Sequence, residues 1–278
     1  MGKKHNDEKD IGMETVSSLD KKTKHFKSNK KNKSNNDLMP VKIDFEHQFI
    51  EQTNPIDQKW EKGFFKEYGD ILVANDYPSK CICLLIIIGA DNVRYYGTGF
   101  MISPRVIITA GHNVFFAGKW AKQIRAVPGA DGTNSPYGSE ITTELISTNN
   151  WTVFKKHDHD YGALILPSDD LFNRVKSYFQ FREILEEGPI IIGGYPLSKG
   201  FKQITLHGVS EDISAFGITY NLPTEGGNSG SPVFILYGNQ IFAIAVHTTG
   251  GNPSSGVRIN PPLIKVWNDW INRQIIVT

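Results

Sequence analysis

The sequence has few cysteines, almost no net charge and no long hydrophobic run. Only two of its 278 residues are cysteine, Cys81 and Cys83. They stand two positions apart in an apolar run, so on a strand they point to the same face, where a disulfide between them is geometrically poor. The chain is therefore not a disulfide scaffold, and we interpret both cysteines as reduced core residues.

The net charge of +1 at pH 7 argues against a protein made chiefly to hold nucleic acid. This sum hides an asymmetry, because residues 1–40 carry ten lysines and six acidic residues, whereas the rest of the chain carries 20 basic and 23 acidic residues. The excess of positive charge therefore belongs to the amino-terminal segment. We expect no nucleic-acid partner.

The longest apolar run, CICLLIIIGA at residues 81–90, is too short to span a bilayer. The first residues have a basic start, but the apolar stretch that a secretory signal requires does not follow. We therefore expect no stable membrane insertion. The expected location is the cytoplasm by default, or the outside of the cell by an unconventional export route.

Residues 1–69 are predicted to form a disordered basic tail. The stretch KKTKHFKSNKKNKSNND at 21–37 has seven lysines and one aromatic residue, so it buries too little apolar area to offset the entropy of ordering. Residues 41–70 mix aromatic and charged residues without a clear period. Either the tail is simply solvated, or it is a basic patch for acidic surfaces.

The pattern changes from about Ile71 onward. Short apolar runs recur there, separated by glycine, proline, asparagine and aspartate, which is typical of an all-β barrel or sandwich. The end of the chain differs, because apolar residues follow Pro261-Pro262 at helical spacing. These residues, which predict one amphipathic carboxy-terminal helix packed on the β body, are Leu263, Val266, Trp267, Trp270 and Ile271.

Three segments contain the residue types of a nucleophilic hydrolase. VIITAGHNV ends a strand at His112, HDHDYGALIL places Asp160 just before a strand, and TEGGNSGSPVF places Ser229 among glycines. The chain order His, Asp, Ser matches that of chymotrypsin-type hydrolases and differs from that of subtilisin and α/β-hydrolases. The sequence therefore predicts a catalytic triad of these three residues.

Each residue of the predicted triad has a distinct chemical role in the reaction. A serine hydroxyl is a weak nucleophile until a base such as His112 takes its proton, and the imidazolium that forms needs a buried carboxylate, the role assigned to Asp160. The glycines around Ser229 allow backbone donors to converge on an oxyanion. We assign this oxyanion hole to the N–H groups of Gly227 and Ser229.

Each segment alone also has an ordinary explanation. Gly-Asn-Ser-Gly occurs in turns, and a histidine after a strand is usually structural. His157 and His159 could share a strand face as metal ligands, but no further histidine or cysteine follows at a useful spacing, so we expect no metal and no cofactor. The three segments together, in this order, favour the triad.

From about residue 70 to its end, the chain resembles the glutamyl endopeptidases, a bacterial-type branch of the trypsin fold. The matching pieces are GTGFMISPRVIITAGHNV, VPGADGTNSPYGS, DYGALIL, GGYP, GGNSGSPVF and AVHTTGG. The resemblance implies a protease domain over residues 70–278. It would contain two six-stranded antiparallel β-barrels, over about 70–180 and 181–278, with the site in the cleft between them and a carboxy-terminal helix.

The resemblance also implies cleavage after glutamate, or after aspartate. Trypsin-type enzymes that take lysine or arginine carry aspartate six residues before the serine, where this chain has Pro223. Thr224 and His247 lie where the resemblance places the pocket for an acidic side chain, which needs hydrogen-bonded partners when it is buried. The third element of the pocket in this family is the amine of the mature amino terminus. ILVAND resembles a mature start and implies an activating protease that cuts near Asp70, with residues 1–69 as a pro-segment.

The chain departs from the family pattern in three respects. Relatives are usually secreted, whereas no secretory signal is visible in this sequence. Glu225 lies in the segment that forms the pocket, and Gly97 and Asn113 occupy positions where some relatives carry a disulfide. Three hypotheses follow: a serine endopeptidase that cuts polypeptides after glutamate, a serine protease of the same fold with another preference, and a catalytically silent binding module. We expect a monomer.

Overall fold

The computed structural model describes residues 13–19, 41–42 and 76–273, which form two large β-sheets and one small one. In chain order the strands are β1 (Thr15–Ser17), β2 (Val41–Lys42), β3 (Ile82–Ile88), β4 (Arg94–Met101), β5 (Val106–Thr109), β6 (Phe115–Phe116), β7 (Lys119–Trp120), β8 (Gln123–Pro128), β9 (Glu140–Thr142), β10 (Glu144–Thr148), β11 (Gly162–Ile165), β12 (Gln180–Phe181), β13 (Pro189–Gly194), β14 (Ile204–Ile213), β15 (Gly217–Tyr220), β16 (Pro232–Tyr237), β17 (Gln240–Thr249) and β18 (Ser254–Arg258).

The first sheet has the order β1-β10-β11-β5-β4-β3-β8-β9, and β2 pairs with β4. The antiparallel register of β5 and β11 sets Thr109 opposite Gly162. The chain segment that follows Thr109 therefore lies beside the segment that precedes Gly162. These two segments carry His112 and Asp160, so the register of one strand pair brings the predicted base and carboxylate together.

The second sheet has the order β12-β17-β16-β13-β14-β15-β18, and a further pairing of β17 with β18 closes six of these strands into a barrel. The strands change from the first sheet to the second between Ile165 and Gln180. The predicted all-β fold is confirmed. The first sheet has nine strands, more than the six predicted, because β1, β2 and β9 extend it.

The described residues contain four α-helices: α1 (Gly111–Val114), α2 (Asn149–Thr152), α3 (Asp170–Val175) and α4 (Pro261–Arg273). Helix α4 is the predicted carboxy-terminal helix. It begins after Asn260, whose side-chain oxygen accepts the N–H of Leu263 at 3.0 Å, as an N-cap residue does. Its apolar stripe is buried against the β body, with Leu263, Val266, Trp267 and Trp270 inside. No helix in the described ranges is long and apolar enough to cross a membrane.

Aromatic side chains join the two sheets in one core. Phe179 lies between them, with its ring centroid 5.5 Å from that of Phe100 in β4 and 5.5 Å from that of Phe234 in β16. Trp267 of α4 packs edge-on against Phe100. Such offset and edge-on contacts add to the stability gained from burial. The two cysteines are free thiols buried in this core, as predicted.

The predicted disordered tail does not extend over all of residues 1–69. Thr15–Ser17 forms β1 and pairs with β10, and Val41–Lys42 forms β2 and pairs with β4. The prediction therefore does not hold for residues 13–19 and 41–42, and the remaining residues of the segment lie outside the described ranges. The amino-acid composition indicates how much apolar area a segment can bury. It does not reveal that a short segment can bind to the edge of an existing sheet through its backbone.

Candidate active site

His112 in helix α1 and Asp160 in the turn before β11 are buried beside each other next to the first sheet. Asp160 uses both carboxylate oxygens on this one residue: Oδ1 accepts the backbone N–H of His112 at 2.8 Å, and Oδ2 lies 2.7 Å from Nδ1 of the ring. Because a carboxylate only accepts hydrogen bonds, the ring carries its hydrogen on Nδ1. The other ring nitrogen, Nε2, is buried without a hydrogen-bond partner among the described residues.

The turn before β11 contains four polar residues in a row, of which two are exposed to solvent and two are buried. His157 and Asp158 are exposed, whereas His159 and Asp160 are buried. His159 lies 3.3 Å from the side-chain nitrogen of Asn150, and burial lowers its pKa. No group of three or more His, Cys, Asp or Glu within the described part of the chain is arranged to hold a metal ion. The structure thus places Asp160, and not Asp158, against His112.

Ser229 lies in the loop before β16, and its backbone contacts the first sheet next to His112. Its carbonyl accepts the N–H of Thr98 at 2.9 Å and the side-chain amide of Asn113 at 2.9 Å. Asn113 directly follows His112 in the sequence. The structure therefore places the Ser229 loop against the residue that follows His112, and no hydrogen bond joins the Ser229 hydroxyl to Nε2 of His112.

Two glycines allow the Ser229 loop to pack this closely. Gly227 has φ of +100° and Gly230 has φ of +89°, values that residues with a side chain rarely adopt. A Cβ at Gly227 would lie 2.3 Å from the carbonyl of Tyr195, and one at Gly230 would lie 2.1 Å from the carbonyl of Thr98. The need for glycine at 227 thus comes from the backbone conformation and from Tyr195.

The predicted oxyanion donors are available in this loop. The N–H groups of Gly227 and Ser229 make no hydrogen bond with any other described residue, whereas their neighbours Asn228, Gly230 and Ser231 all donate to backbone carbonyls. The loop is thus fixed by alternate backbone bonds that leave two N–H groups unused. Unpaired backbone donors are uncommon in folded proteins, and two in one short loop are typical of an anion-binding site.

A buried network of Thr98, Thr109 and Asn113 connects the two sheets at the site. Thr98 donates its hydroxyl to the carbonyl of Gly227 at 2.8 Å and accepts the N–H of Tyr195 at 3.0 Å. Thr109 donates to the carbonyl of Thr98 at 2.7 Å and accepts from the Asn113 amide at 2.8 Å. The sequence did not reveal this network, because Tyr195 and Gly227 lie 97 and 129 residues from Thr98 along the chain.

The predicted specificity residues lie in the second barrel. The hydroxyl of Thr224 is 2.8 Å from that of Ser254, which in turn donates towards the carbonyls of Leu222 and Gly251. His247 lies in β17, and Nδ1 of its ring is 2.6 Å from the hydroxyl of Tyr220. Sequence reasoning missed Ser254 and Tyr220, since the sequence gives no signal for either.

His247 is buried and uncharged. Burial lowers its pKa to about 3, the nearby ring of His112 contributes in the same direction, and a hydrogen bond with the backbone of Ser255 opposes them. Burial also raises the pKa of Tyr220 well above its ordinary value, so its hydroxyl keeps its hydrogen. If that hydrogen is donated to Nδ1, the ring of His247 carries its own hydrogen on Nε2.

Glu225 is exposed at the edge of this region. One of its carboxylate oxygens accepts a hydrogen bond from the hydroxyl of Ser198. Pro223, which stands six residues before Ser229, is also exposed. Neither residue places a buried negative charge next to Thr224 or His247.

The comparison with protein families agrees with the two-sheet β fold and with the arrangement of the candidate site. The model of the trypsin-like peptidase domain matches residues 97–244, just over half of the chain. This range contains His112, Asp160 and Ser229. The chain therefore belongs to the family of trypsin-like peptidase domains.

Two curated bacterial proteins are similar to the chain. One, named an extracellular metalloprotease, from Bacillus subtilis (strain 168), is 30% identical over 208 residues, which is 71% of this chain and 65% of the relative. The other is the glutamyl endopeptidase of Bacillus licheniformis (strain ATCC 14580), which is 32% identical over 190 residues, 63% of this chain and 59% of the relative. The chain thus matches less than two thirds of the length of each relative.

Solved structures of peptidases share the fold. A Glu endopeptidase in complex with MPD has a TM-score of 0.64 at 23% identity and covers 71% of this chain and 93% of its own. A thermostable serine protease from an extremophilic microorganism has a TM-score of 0.60 at 19% identity, with 69% and 97% covered. These similarities support the trypsin-like fold of the chain.

Proposed function

We propose that the chain is a serine endopeptidase that hydrolyses polypeptides through a triad of His112, Asp160 and Ser229 and prefers glutamate, or aspartate, before the scissile bond. The observation that carries the proposal is the double contact of Asp160 with the backbone N–H and the ring Nδ1 of His112. This contact fixes both the orientation and the tautomer of the ring. The free Nε2 is then the base for Ser229.

The reaction follows the chemistry of these groups. Ser229 Oγ attacks the scissile carbonyl carbon while Nε2 of His112 takes its proton, and Asp160 stabilises the imidazolium that results. The same proton then passes to the leaving amine as the peptide C–N bond breaks, which leaves an acyl ester on Ser229. Water, deprotonated by His112, hydrolyses this ester and regenerates the hydroxyl.

The oxyanion forms beside the two unused donors of the loop. The negative oxygen of each tetrahedral intermediate is stabilised by the N–H groups of Gly227 and Ser229. One such donor is typically worth about 10²–10³ in turnover. The hydroxyl of Thr98 holds the carbonyl of Gly227, which helps to keep these N–H groups directed at the substrate.

Thr224 and His247 are the polar side chains proposed to bind an acidic substrate side chain. If Tyr220 donates to Nδ1 of His247, the uncharged ring carries its hydrogen on Nε2, and we propose that this N–H, now hydrogen-bonded to the backbone of Ser255, is shared with a substrate carboxylate. The hydroxyl of Ser254 is directed at the carbonyls of Leu222 and Gly251, so Thr224 donates its hydroxyl hydrogen to Ser254, and we propose that this hydrogen turns to the substrate carboxylate when substrate binds. We propose that the amine of a new amino terminus, formed by a protease that cuts near Asp70, is the third partner. Residues 70–75 lie outside the described ranges.

Labelling with a fluorescent fluorophosphonate tests the catalytic proposal, because this reagent reacts with an activated serine and needs no specific substrate. We expect the wild-type protein to be labelled at Ser229. Ser229→Ala should not react, and its turnover should fall by about 10⁶, by analogy with serine deletions in other triads. A folded wild-type protein that does not react would favour the binding module.

The specificity proposal needs a separate measurement. In a peptide-library profile, we expect cleavage mainly after glutamate. His247→Ala should reduce that cleavage far more than it reduces the rate of fluorophosphonate labelling, since His247 is proposed to bind the substrate side chain and not to activate Ser229. Equal losses in both assays, or a wild-type profile with another preference, would refute the acidic pocket while leaving the triad intact.

A further inference from the structure

The segment Met13–Leu19 is bound to the protease domain by both backbone and side-chain contacts. In the ladder between β1 and β10, Thr15 is opposite Thr148, Val16 opposite Ser147 and Ser17 opposite Ile146. The N–H of Ser18 donates to the carbonyl of Leu145 at 2.8 Å, and the N–H of Asn149 donates to the carbonyl of Glu14 at 3.1 Å. The segment therefore completes the outer edge of the first sheet.

Side chains of the segment contact buried residues of the domain. The hydroxyl of Thr15 accepts the indole N–H of Trp270 at 2.8 Å. The sulfur of Met13 lies 3.6 Å from the amide nitrogen of Asn150 and 3.7 Å from the hydroxyl of Tyr161. Trp270 is 0% and Tyr161 1% exposed, so the segment covers side chains of the core.

A second set of polar contacts fixes the position of the strand. The hydroxyl of Ser18 donates to the carbonyl of Thr143 at 2.7 Å and accepts the N–H of Leu145 at 2.9 Å. The carboxylate of Glu14 accepts from the side chain of Asn149 at 3.2 Å. A strand that shifted by one residue would lose these contacts and turn its buried face to water.

We propose that the edge of β10 is a docking surface for the segment Met13–Leu19, and that this segment stays bound as a separate chain when the polypeptide is cut downstream of it. The protein cut near Asp70 is then a two-chain protein, and the pro-segment is not released. The inference adds to the proposed function but does not depend on it, since it concerns binding and not catalysis.

The alternation of an antiparallel ladder identifies the residue to change. Bonded pairs alternate with non-bonded ones, and the contacts of Glu14 with Asn149 and of Ser18 with Leu145 make Val16 and Ser147 the bonded pair between them. Val16→Pro removes the N–H that pairs with Ser147. Val16→Ala keeps that N–H and removes two methyl groups, so it is the matched control.

The test uses the full chain with a flexible linker, containing the recognition sequence of a site-specific protease, inserted between residues 30 and 31. A cut there leaves β1 on the short fragment and β2 on the body, so β2 cannot retain the fragment. A denaturing gel measures cutting, and gel filtration at micromolar concentration measures retention. We expect the fragment to co-elute with the body in the wild type and in Val16→Ala, and to separate in Val16→Pro.

Hydrogen exchange in the uncut chain provides a second measurement. The amides of Ser147 and Asn149 should exchange slowly in the wild type and in Val16→Ala, and faster in Val16→Pro, while amides of the second barrel keep their protection in all three proteins. A wild-type fragment that separates after cutting would overturn the inference. Retention and protection in Val16→Pro equal to those of the wild type would also overturn it. Neither result would affect fluorophosphonate labelling of Ser229, so failure here is distinct from failure of the proposed function.

Discussion

Asp160→Asn gives the sharpest test of the site, because its effect follows from the two contacts of the carboxylate. An asparagine side chain has one oxygen and one NH₂ group where Asp160 has two acceptor oxygens. If the oxygen accepts the backbone N–H of His112, the NH₂ group faces Nδ1, which must then act as an acceptor. The ring hydrogen moves to Nε2, and His112 can no longer take the proton of Ser229.

The other orientation of the amide is disfavoured. It would place the NH₂ group against the backbone N–H of His112 at a site where Oδ1 now accepts that N–H at 2.8 Å. Two donors would then face each other at a position that is 0% exposed, and an unsatisfied buried donor costs about 1–3 kcal/mol. The first orientation therefore predominates. The same substitution in a chymotrypsin-type triad lowers kcat by about 10⁴, which is roughly 5 kcal/mol, and we expect a similar loss here.

The assay compares kcat/KM for a fluorogenic peptide with glutamate before the scissile bond, and a melting curve shows that each variant is folded. Asp158→Asn is the matched control, since Asp158 is exposed in the same turn, two residues earlier. We expect the control to stay close to wild type. An Asp160→Asn protein with more than a tenth of wild-type activity, or an Asp158→Asn protein with the larger loss, would refute the assignment of the carboxylate.

Two further predictions concern the surroundings of the triad. Asn113→Ala removes two hydrogen bonds, worth about 1–3 kcal/mol together, and should lower kcat more than it raises KM; Asn113→Asp should be worse, because it turns a carboxylate towards the carbonyl of Ser229. Steady-state kinetics and melting curves measure both, and an Asn113→Ala protein equal to wild type would contradict the prediction. The pKa of His247, lowered from 6.5 to about 3, predicts a contribution to stability that is complete above pH 6.5 and is lost as the pH falls towards 3, because only the unfolded chain binds the proton in between. This contribution is up to about 5 kcal/mol, and the fall in Tm between pH 7 and pH 4 should be smaller in His247→Gln than in the wild type.

The sequence predicted those features of the molecule that depend on local patterns. Short apolar runs and turn residues predicted the β architecture, and the spacing of Trp267 and Trp270 predicted helix α4, because each element buries one regular face. The order of the His112, Asp160 and Ser229 segments was informative because each segment couples an apolar strand to a chemically distinctive residue. The strand register then brings the first two together.

The sequence did not predict contacts that depend on the three-dimensional arrangement. The bond from Thr98 to Gly227 spans 129 residues, and that from Asn113 to Ser229 spans 116. A threonine or an asparagine has many uses, so its type alone does not identify its partner. Docking of β1 was missed for a similar reason, because its backbone pairs with a strand edge that exists only in the folded domain.

The contacts of Asn113 also explain how the site holds its geometry without a disulfide. A Cβ on Gly97 would lie 2.5 Å from the amide nitrogen of Asn113, so the Asn113 side chain occupies the space directly over Gly97, where some relatives carry a disulfide. From that position it connects Thr109 of the first sheet to Ser229 of the loop before the second barrel. The two cysteines are buried free thiols, and burial raises the pKa of Cys81 to about 12, so its thiol stays protonated and reacts slowly. We therefore expect the geometry of the proposed triad not to depend on the redox state of the solution, so kcat should be the same with and without a reducing agent.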